Sequence, residues 1–163
     1  MSANMDFNIL RSTMFSVTSQ YALRALAQLA RCQNQQAMLG KDLATAAEIP
    51  PNYLAKILLS LKNAGLLGTA RGSRGGYWLV RPPESIKLIE IVQLFDQMQT
   101  PQPCVIGERD QCSDENPCLA HERWRKIRND YMSFLEDTTI ADLANNAKSG
   151  ASALAESVPN TNA

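Results

Sequence analysis

Histidine is nearly missing from this chain: there is one in 163 residues, His121, and it stands among thiols. No acid–base constellation is therefore available outside one short cysteine loop, and the glycines do not form a nucleotide-binding Walker pattern, so an enzyme is not expected. No run of about 18 apolar residues occurs, which argues against a membrane-spanning helix. Met1 to Thr13 lacks an apolar h-region, so a secretory signal is not expected. Internal repeats are lacking too, which removes solenoid architectures. These absences leave a cytosolic protein as the default. Thiols stay reduced there, and the clustered cysteines then point to metal or redox chemistry rather than to structural disulfides, while Cys32 reads as a small core or boundary residue. A chain of this length buries enough core to fold without such staples.

Net charge is missing only in sum. Residues 1–83 carry nine Lys and Arg against three Asp and Glu, whereas residues 84–163 carry seven against thirteen. A basic front half joined to an acidic back half indicates a polyanion-binding module attached to something kept off the polyanion.

The apolar spacing predicts a mainly helical fold with a small β wing. Residues 1–13 read as a flexible extension. Ser16 is a good N-cap for a first helix reaching about Cys32, with Val17, Tyr21, Ala22, Leu26, Leu29 and Ala30 on its apolar stripe. Gln33 to Gln36 forms a loop. A short helix follows over about Gly40 to Ala47, and a second runs from Pro51, a natural first-turn proline, to Asn63. Leu54, Ile57, Leu58 and Leu61 form the buried face of that second helix. Asn52, Tyr53, Lys56, Ser60 and Lys62 are left for its outer face, and Gly65 caps its end. This is helix-turn-helix grammar. Leu66 to Val80 then reads as a hairpin whose turn, Gly72-Ser73-Arg74-Gly75, is flanked by Arg71 and followed by Arg81. A basic, glycine-rich hairpin after the second helix is a wing. Its backbone can approach phosphates, and its arginines suit a narrow minor groove.

A helix is expected over about Glu84 to Met98, with Ile86, Ile89, Val92 and Phe95 inward and Leu88 and Ile91 beside them. Asn116-Pro117 is expected to start another, running to about Glu136. On that last helix Trp124, Ile127, Tyr131 and Phe134 form a heptad-like seam suited to a dimer interface. Thr139 to Asp142 can cap a final short helix, and the Asn-, Ala- and Ser-rich tail is expected to be disordered. The resulting division is 1–13 extension, 14–83 winged helix-turn-helix, 84–143 sensor loop and dimerisation helices, and 144–163 tail.

Between the two late helices lie Cys104, Cys112, Cys118 and His121, spaced C-x7-C-x5-C-x2-H. Thiolate and imidazole together suit zinc or an iron–sulfur cluster. Cys118, if it lies in the first turn of the last helix, has its thiolate favoured by the helix dipole. Glu108, Asp110, Asp114 and Glu115 are read as solvating the loop rather than as ligands. A Cys3His zinc site in a nucleic-acid-binding protein, a metal-free thiol switch, and control by a protein partner are the competing readings.

Several stretches carry a family resemblance. They are Tyr21-Ala22-Leu23-Arg24, Tyr53-Leu54, Leu61-Lys62-Asn63-Ala64-Gly65-Leu66, the wing Arg71-Gly72-Ser73-Arg74-Gly75-Gly76-Tyr77, and the three cysteines. Over about Met14 to Leu143 the chain resembles the IscR/NsrR-type winged-helix transcription regulators. The resemblance implies a homodimer on palindromic double-stranded DNA, with Asn52, Tyr53 and Lys56 facing the major groove and Arg71 entering the minor groove. It also implies an iron–sulfur cluster or redox state that sets the operator affinity of a repressor or dual regulator. Two departures matter. The first cysteine gap is seven residues rather than five, and Ser19-Gln20-Tyr21 offers no carboxylate where some members place a fourth ligand. His121 holds the place of the histidine ligand of others. The resemblance therefore favours a [2Fe–2S] cluster on Cys104, Cys112, Cys118 and His121 over a [4Fe–4S] cluster.

Overall fold

The computed structural model describes residues 14–32, 37–72, 75–96, 104–107 and 112–145. The expected N-terminal extension, the Gln33–Gln36 loop, Ser73, Arg74, Glu108, Asp110 and the tail from residue 146 onward lie outside these. The described part is mainly helical with one two-stranded antiparallel sheet. Its elements are α1 (Val17–Ala30), α2 (Gly40–Ala46), α3 (Pro51–Asn63), β1 (Leu67–Ala70), β2 (Gly76–Leu79), a 3-10 turn (Pro83–Ser85), α4 (Leu88–Phe95) and α5 (His121–Asp137).

Ser16 starts α1 as its composition predicts: its Oγ accepts from the Ser19 N–H at 3.1 Å, satisfying one of the orphan donors of the first turn. The helix buries Ala22, Leu23, Ala25, Leu26 and Leu29, but Val17 is exposed, so the apolar stripe begins one turn later than expected. In α3, Pro51 occupies the first turn and Leu54, Ile57, Leu58 and Leu61 face inward. The helix ends on a Schellman pair: Gly65 has φ +74° and donates to Lys62 O at 2.9 Å, while the Leu66 N–H reaches Leu61 O at 3.0 Å. That turn delivers the chain directly into the wing. There Leu67 pairs with Leu79 and Ala70 with Gly76, and the Met38–Tyr77 bridge adds a third backbone segment. Gly76 has φ +143°, and a Cβ there would run into the Met38 carbonyl, so this bridge requires glycine. α1 is the hub, packing on α2, α3, α4 and β2.

Three sequence expectations need correction. The helix expected from Glu84 begins only at Leu88. Ile86 and Lys87 are extended and pair with the chain after α5: Ile140 N–H donates to Ile86 O at 2.9 Å, and Leu88 N–H to Thr138 O at 3.0 Å. The buried face of α4 is consequently Leu88, Ile91 and Val92, with Ile89 and Phe95 only partly covered. The last helix begins at His121 rather than near Asn116, which lies in a separate turn with its N–H donating to Ser113. Cys118 therefore precedes the helix and receives no first-turn dipole. One core contains Leu26, Leu43, Leu54, Leu61, Ile91, Leu135 and Ile140, so the ends of the cysteine-bearing segment share it with the helix-turn-helix.

Gly76→Ala should therefore break the Met38–Tyr77 bridge and lower stability by about 1–3 kcal/mol. A drop in urea midpoint at unchanged slope would register the loss. Wild-type stability in this variant would refute the steric account.

Candidate DNA-reading surface and cysteine centre

α3 presents two faces. Its apolar face is sealed against α1 and α2, and its outer face carries Asn52, Tyr53, Lys56 and Lys62, all exposed. Ser60, expected beside them, is only half-exposed. Tyr53 leans edge-on against Tyr21 of α1, with ring centroids 6.2 Å apart, and the Arg24 guanidinium lies 5.7 Å from the Tyr21 ring. Arg24 is also ion-paired with Glu48 at 3.3 Å. Sequence reasoning did not find this aromatic–cation support for Tyr53. The only signal for it is that Tyr21 and Arg24 are three apart and so share a helical face.

Arg71 is exposed at the end of β1, across an open cleft from Ala55, Leu59 and Lys62 of α3. Among the described residues, none of Lys56, Lys62 and Arg71 has an ion-pair partner. Arg81, the other wing arginine, is different. Its Nη2 donates to both Glu90 carboxylate oxygens at 2.9 Å and ties the base of the wing to α4.

The three loop cysteines converge. One Sγ from each of Cys104, Cys112 and Cys118 lies within 4.8 Å of the others, Cys104 and Cys118 buried and Cys112 partly so. None of the cysteines is in a disulfide. Desolvation, and then contact with the Cys104 and Cys118 thiols, pushes the Cys112 pKa up to about 11. A thiol so placed resists ionising without a counter-cation, and a metal reverses that preference. This donor set fits a thiophilic metal or an iron–sulfur cluster.

His121 lines the same cleft as Cys112, Cys118, Trp124 and Arg128 but lies outside the close group of three sulfurs. Its Nε2 lies 2.9 Å from Asp114 Oδ1, which also accepts from Arg125 at 3.0 Å. The hydrogen bond from His121, and then the Arg125 charge, hold the Asp114 carboxyl below its ordinary value. Asp114 is thus more than a solvating acid. No periodicity links it to His121, so only the folded loop reveals the pair.

α5 is 17 residues long, and Leu135 is its only buried residue. Of the expected seam, Ile127 and Phe134 are 55% and 47% exposed, and Trp124 is half-covered. Tyr131 instead turns toward its own chain, packing on Phe15.

A helix-turn-helix with an exposed basic outer face and an attached wing defines a winged-helix DNA-binding regulator. The comparisons agree. The family model Rrf2, described as an iron-dependent transcriptional regulator, matches residues 15–146, and the chain belongs to that family. It is 33% identical over 134 residues to a protein of Aquifex aeolicus carried provisionally as an HTH-type transcriptional regulator, covering 81% of this chain and 92% of that one. It is 28% identical over 127 residues to the HTH-type transcriptional regulator IscR of Yersinia pseudotuberculosis, covering 78% and 76%. Among solved structures it is similar to CymR, the global cysteine regulator of B. subtilis, with TM-score 0.66 and 27% identity over 80% of this chain and 95% of that one. These relatives are transcriptional regulators rather than enzymes. No helix among the described residues is long and apolar enough to cross a membrane.

Cys112→Ala should weaken Co²⁺ binding by more than about tenfold, since loss of an outer-shell partner alone costs that much. The thiolate-to-cobalt absorption band should fall with it. Full-intensity absorption in the variant would show that the three thiols do not act together.

Proposed function

We propose that this chain is a homodimeric regulator that binds a palindromic operator and whose affinity follows the state of the Cys104–Cys112–Cys118 centre. The observation that carries the reading is the convergence of three thiols, from separate points of one loop, in a chain whose other half is a DNA reader. In this reading residues 14–83 read DNA. Asn52, Tyr53 and Lys56 address base edges, and Ser60, Lys62, Arg71, Ser73 and Arg74 address phosphates and the minor groove. Residues 84–143 sense and dimerise.

The three cysteines would hold an iron–sulfur cluster, with His121 as fourth ligand and [2Fe–2S] preferred to [4Fe–4S]. The Asp114–His121 pair supports that role. A carboxylate accepting the Nε2 proton fixes the tautomer and leaves Nδ1 with its lone pair, the second-shell arrangement usual for metal-bound histidine. A bound cluster would supply a link sensitive to iron, sulfide and oxidants. The chain's own residues would position the thiols, shield two of them from water and hold the imidazole in one tautomer.

A metal-free thiol switch is the second reading. Its support is that the sulfurs are already neighbours, so oxidation of two of them needs only a small adjustment.

Dimerisation rests on α5. An isolated helix of this length is marginal in water, and this one leaves Ile127 and Phe134 uncovered. A second copy of the same helix would cover them in a two-fold contact.

Anaerobic purification followed by an absorption spectrum, with iron, sulfide and zinc assayed on the same sample, tests the centre. Charge-transfer bands with iron and acid-labile sulfide are expected. Stoichiometric zinc without colour would move the site to structural zinc, and absence of metal after reconstitution would leave the thiol switch. Lys56→Ala should cost about 1–3 kcal/mol of operator affinity; unchanged affinity and salt slope would displace α3 from the groove. Phe134→Glu should weaken the dimer by about 2 kcal/mol or more, read by sedimentation. A variant that still dimerises fully would place the interface elsewhere.

A further inference from the structure

The two helices that flank the cysteine-bearing loop touch the same short segment ahead of α1. Asp96, the C-cap of α4 and the last described residue before the loop, accepts through Oδ2 from the Ser16 N–H at 3.2 Å. Tyr131, on the helix that follows the loop, donates its hydroxyl to the Met14 carbonyl at 2.8 Å. Its ring packs on Phe15, with centroids 6.1 Å apart and planes inclined at 47°. Met14, Phe15 and Ser16 lead directly into α1, and Ser16 is its N-cap. Gln20 of α1 adds a bond back to the Phe15 carbonyl at 3.0 Å. Burial, and then the Asp96 charge, raise the Tyr131 pKa.

The position of this joint along α5 is informative. From the C-terminal end, α5 is anchored by Leu135 and by the backbone pairing of 138–140 with 86–88. Tyr131 is the next contact, and residues 122–130 beyond it are exposed or half-exposed. Cys118 lies just before the start of the helix at His121, which is about 15 Å along the axis from Tyr131 at 1.5 Å per residue. The free arm of α5 thus has the cysteine centre at its tip and Tyr131 at its root. Asp96 Oδ1 is buried and has no hydrogen-bond partner among the described residues, so the joint contains an unused acceptor beside the bond it makes. A buried orphan acceptor costs free energy, and a rearrangement that satisfies it is favoured.

We infer that Tyr131 and Asp96 are positioning residues that transmit the state of the cysteine centre to α1, and through α1 to the DNA-reading helix, by way of Met14–Ser16. The inference rests on the proposed regulatory reading of the centre. Ordering or loosening the loop moves the two helices that flank it, and both hold the N-cap segment of the helix on which α3 packs. Neither residue is a ligand or a DNA contact. Each acts by fixing where α1 begins relative to α4 and α5.

The test compares full-length protein in two states, anaerobically reconstituted with ferrous iron and sulfide, and stripped with a chelator under reductant. The probe is a duplex selected by the wild-type protein from a random pool. The wild type should show different affinities in the two states. In Tyr131→Phe, which removes only the hydroxyl, that ratio should shrink about two- to tenfold, the span a single hydrogen bond is worth. The iron content and spectrum should stay at wild-type values. Asp96→Ala should behave likewise, while Asp96→Asn, which keeps an oxygen for the Ser16 N–H, should restore most of the ratio. Hydrogen exchange at the Ser16 and Ser19 amides should differ between states in the wild type and cease to differ in Tyr131→Phe. A wild-type ratio that survives intact in both Tyr131→Phe and Asp96→Ala would overturn the joint. A wild type with no ratio at all would instead remove the regulatory reading beneath it.

Discussion

The short antiparallel pairing of residues 86–88 with 138–140 is the constraint on which the rest depends. Its two backbone bonds, Leu88 to Thr138 and Ile140 to Ile86, are backed by Ile86, Leu135 and Ile140, all fully buried. The pairing closes everything between Leu88 and Thr138 into one loop anchored on the helix-turn-helix core. Loop-closure entropy grows only slowly with length, so a few buried side chains suffice to hold such a segment. α4 thereby leaves the core at a fixed place and α5 returns to it at a fixed place. The cysteine segment is free to vary in length between them, which explains how a first cysteine gap longer than the family pattern is accommodated without disturbing the reader.

The DNA-reading half was largely legible because its signals are local. Pro51, the 54–57–58–61 spacing and Gly65 set the limits of α3 to the residue, and the glycine-rich basic turn marked the wing. The half that carries the three clustered cysteines was less so because its determinants are distant in sequence. Lys87 is extended only because Thr139 bridges it, and nothing near Lys87 predicts that. Asn116-Pro117 has the composition of a helix start, yet Asn116 lies in a separate turn with Ser113 and the helix begins only at His121. The four-residue seam on α5 was read as a single face, but Tyr131 belongs to the intramolecular contact with Met14 and Phe15. The grouping of the three cysteines was legible as chemistry. Their convergence on one point, and the diversion of Asp114 to His121, needed the fold.

Charge follows the same division of labour. The front half exposes Lys56, Lys62 and Arg71 without ion-pair partners among the described residues, so they retain their full attraction for phosphate. Two other basic residues of that half are neutralised: Arg24 by Glu48, and Arg81 by both oxygens of Glu90. Each pair is partly solvated and adds little stability by itself. Their effect is positional. Arg24 sits beneath the Tyr21–Tyr53 contact, and Arg81 fixes the base of the wing to α4, so the unpaired cations are carried on paired supports.

The cysteine centre lies where a small change has mechanical reach. Burial, and then the neighbouring Cys104 and Cys118 thiols, favour the protonated form of Cys112. A soft cation, or oxidation of a thiol pair, replaces that state with a bond. A bound cation ties Cys104, Cys112 and Cys118 to one another, and a disulfide ties two of the three; each fixes a distance between separate points of the loop. The approach to α5 is its free end. A helix is stiff over 17 residues, so its tip cannot be fixed without constraining its root, and the root rests against the residues that begin α1. In the proposed regulatory reading, sensitivity at the centre and rigidity in α5 are therefore complementary requirements. A flexible arm would absorb the change at the thiols, and a centre buried in the main core would leave no movement for the arm to carry.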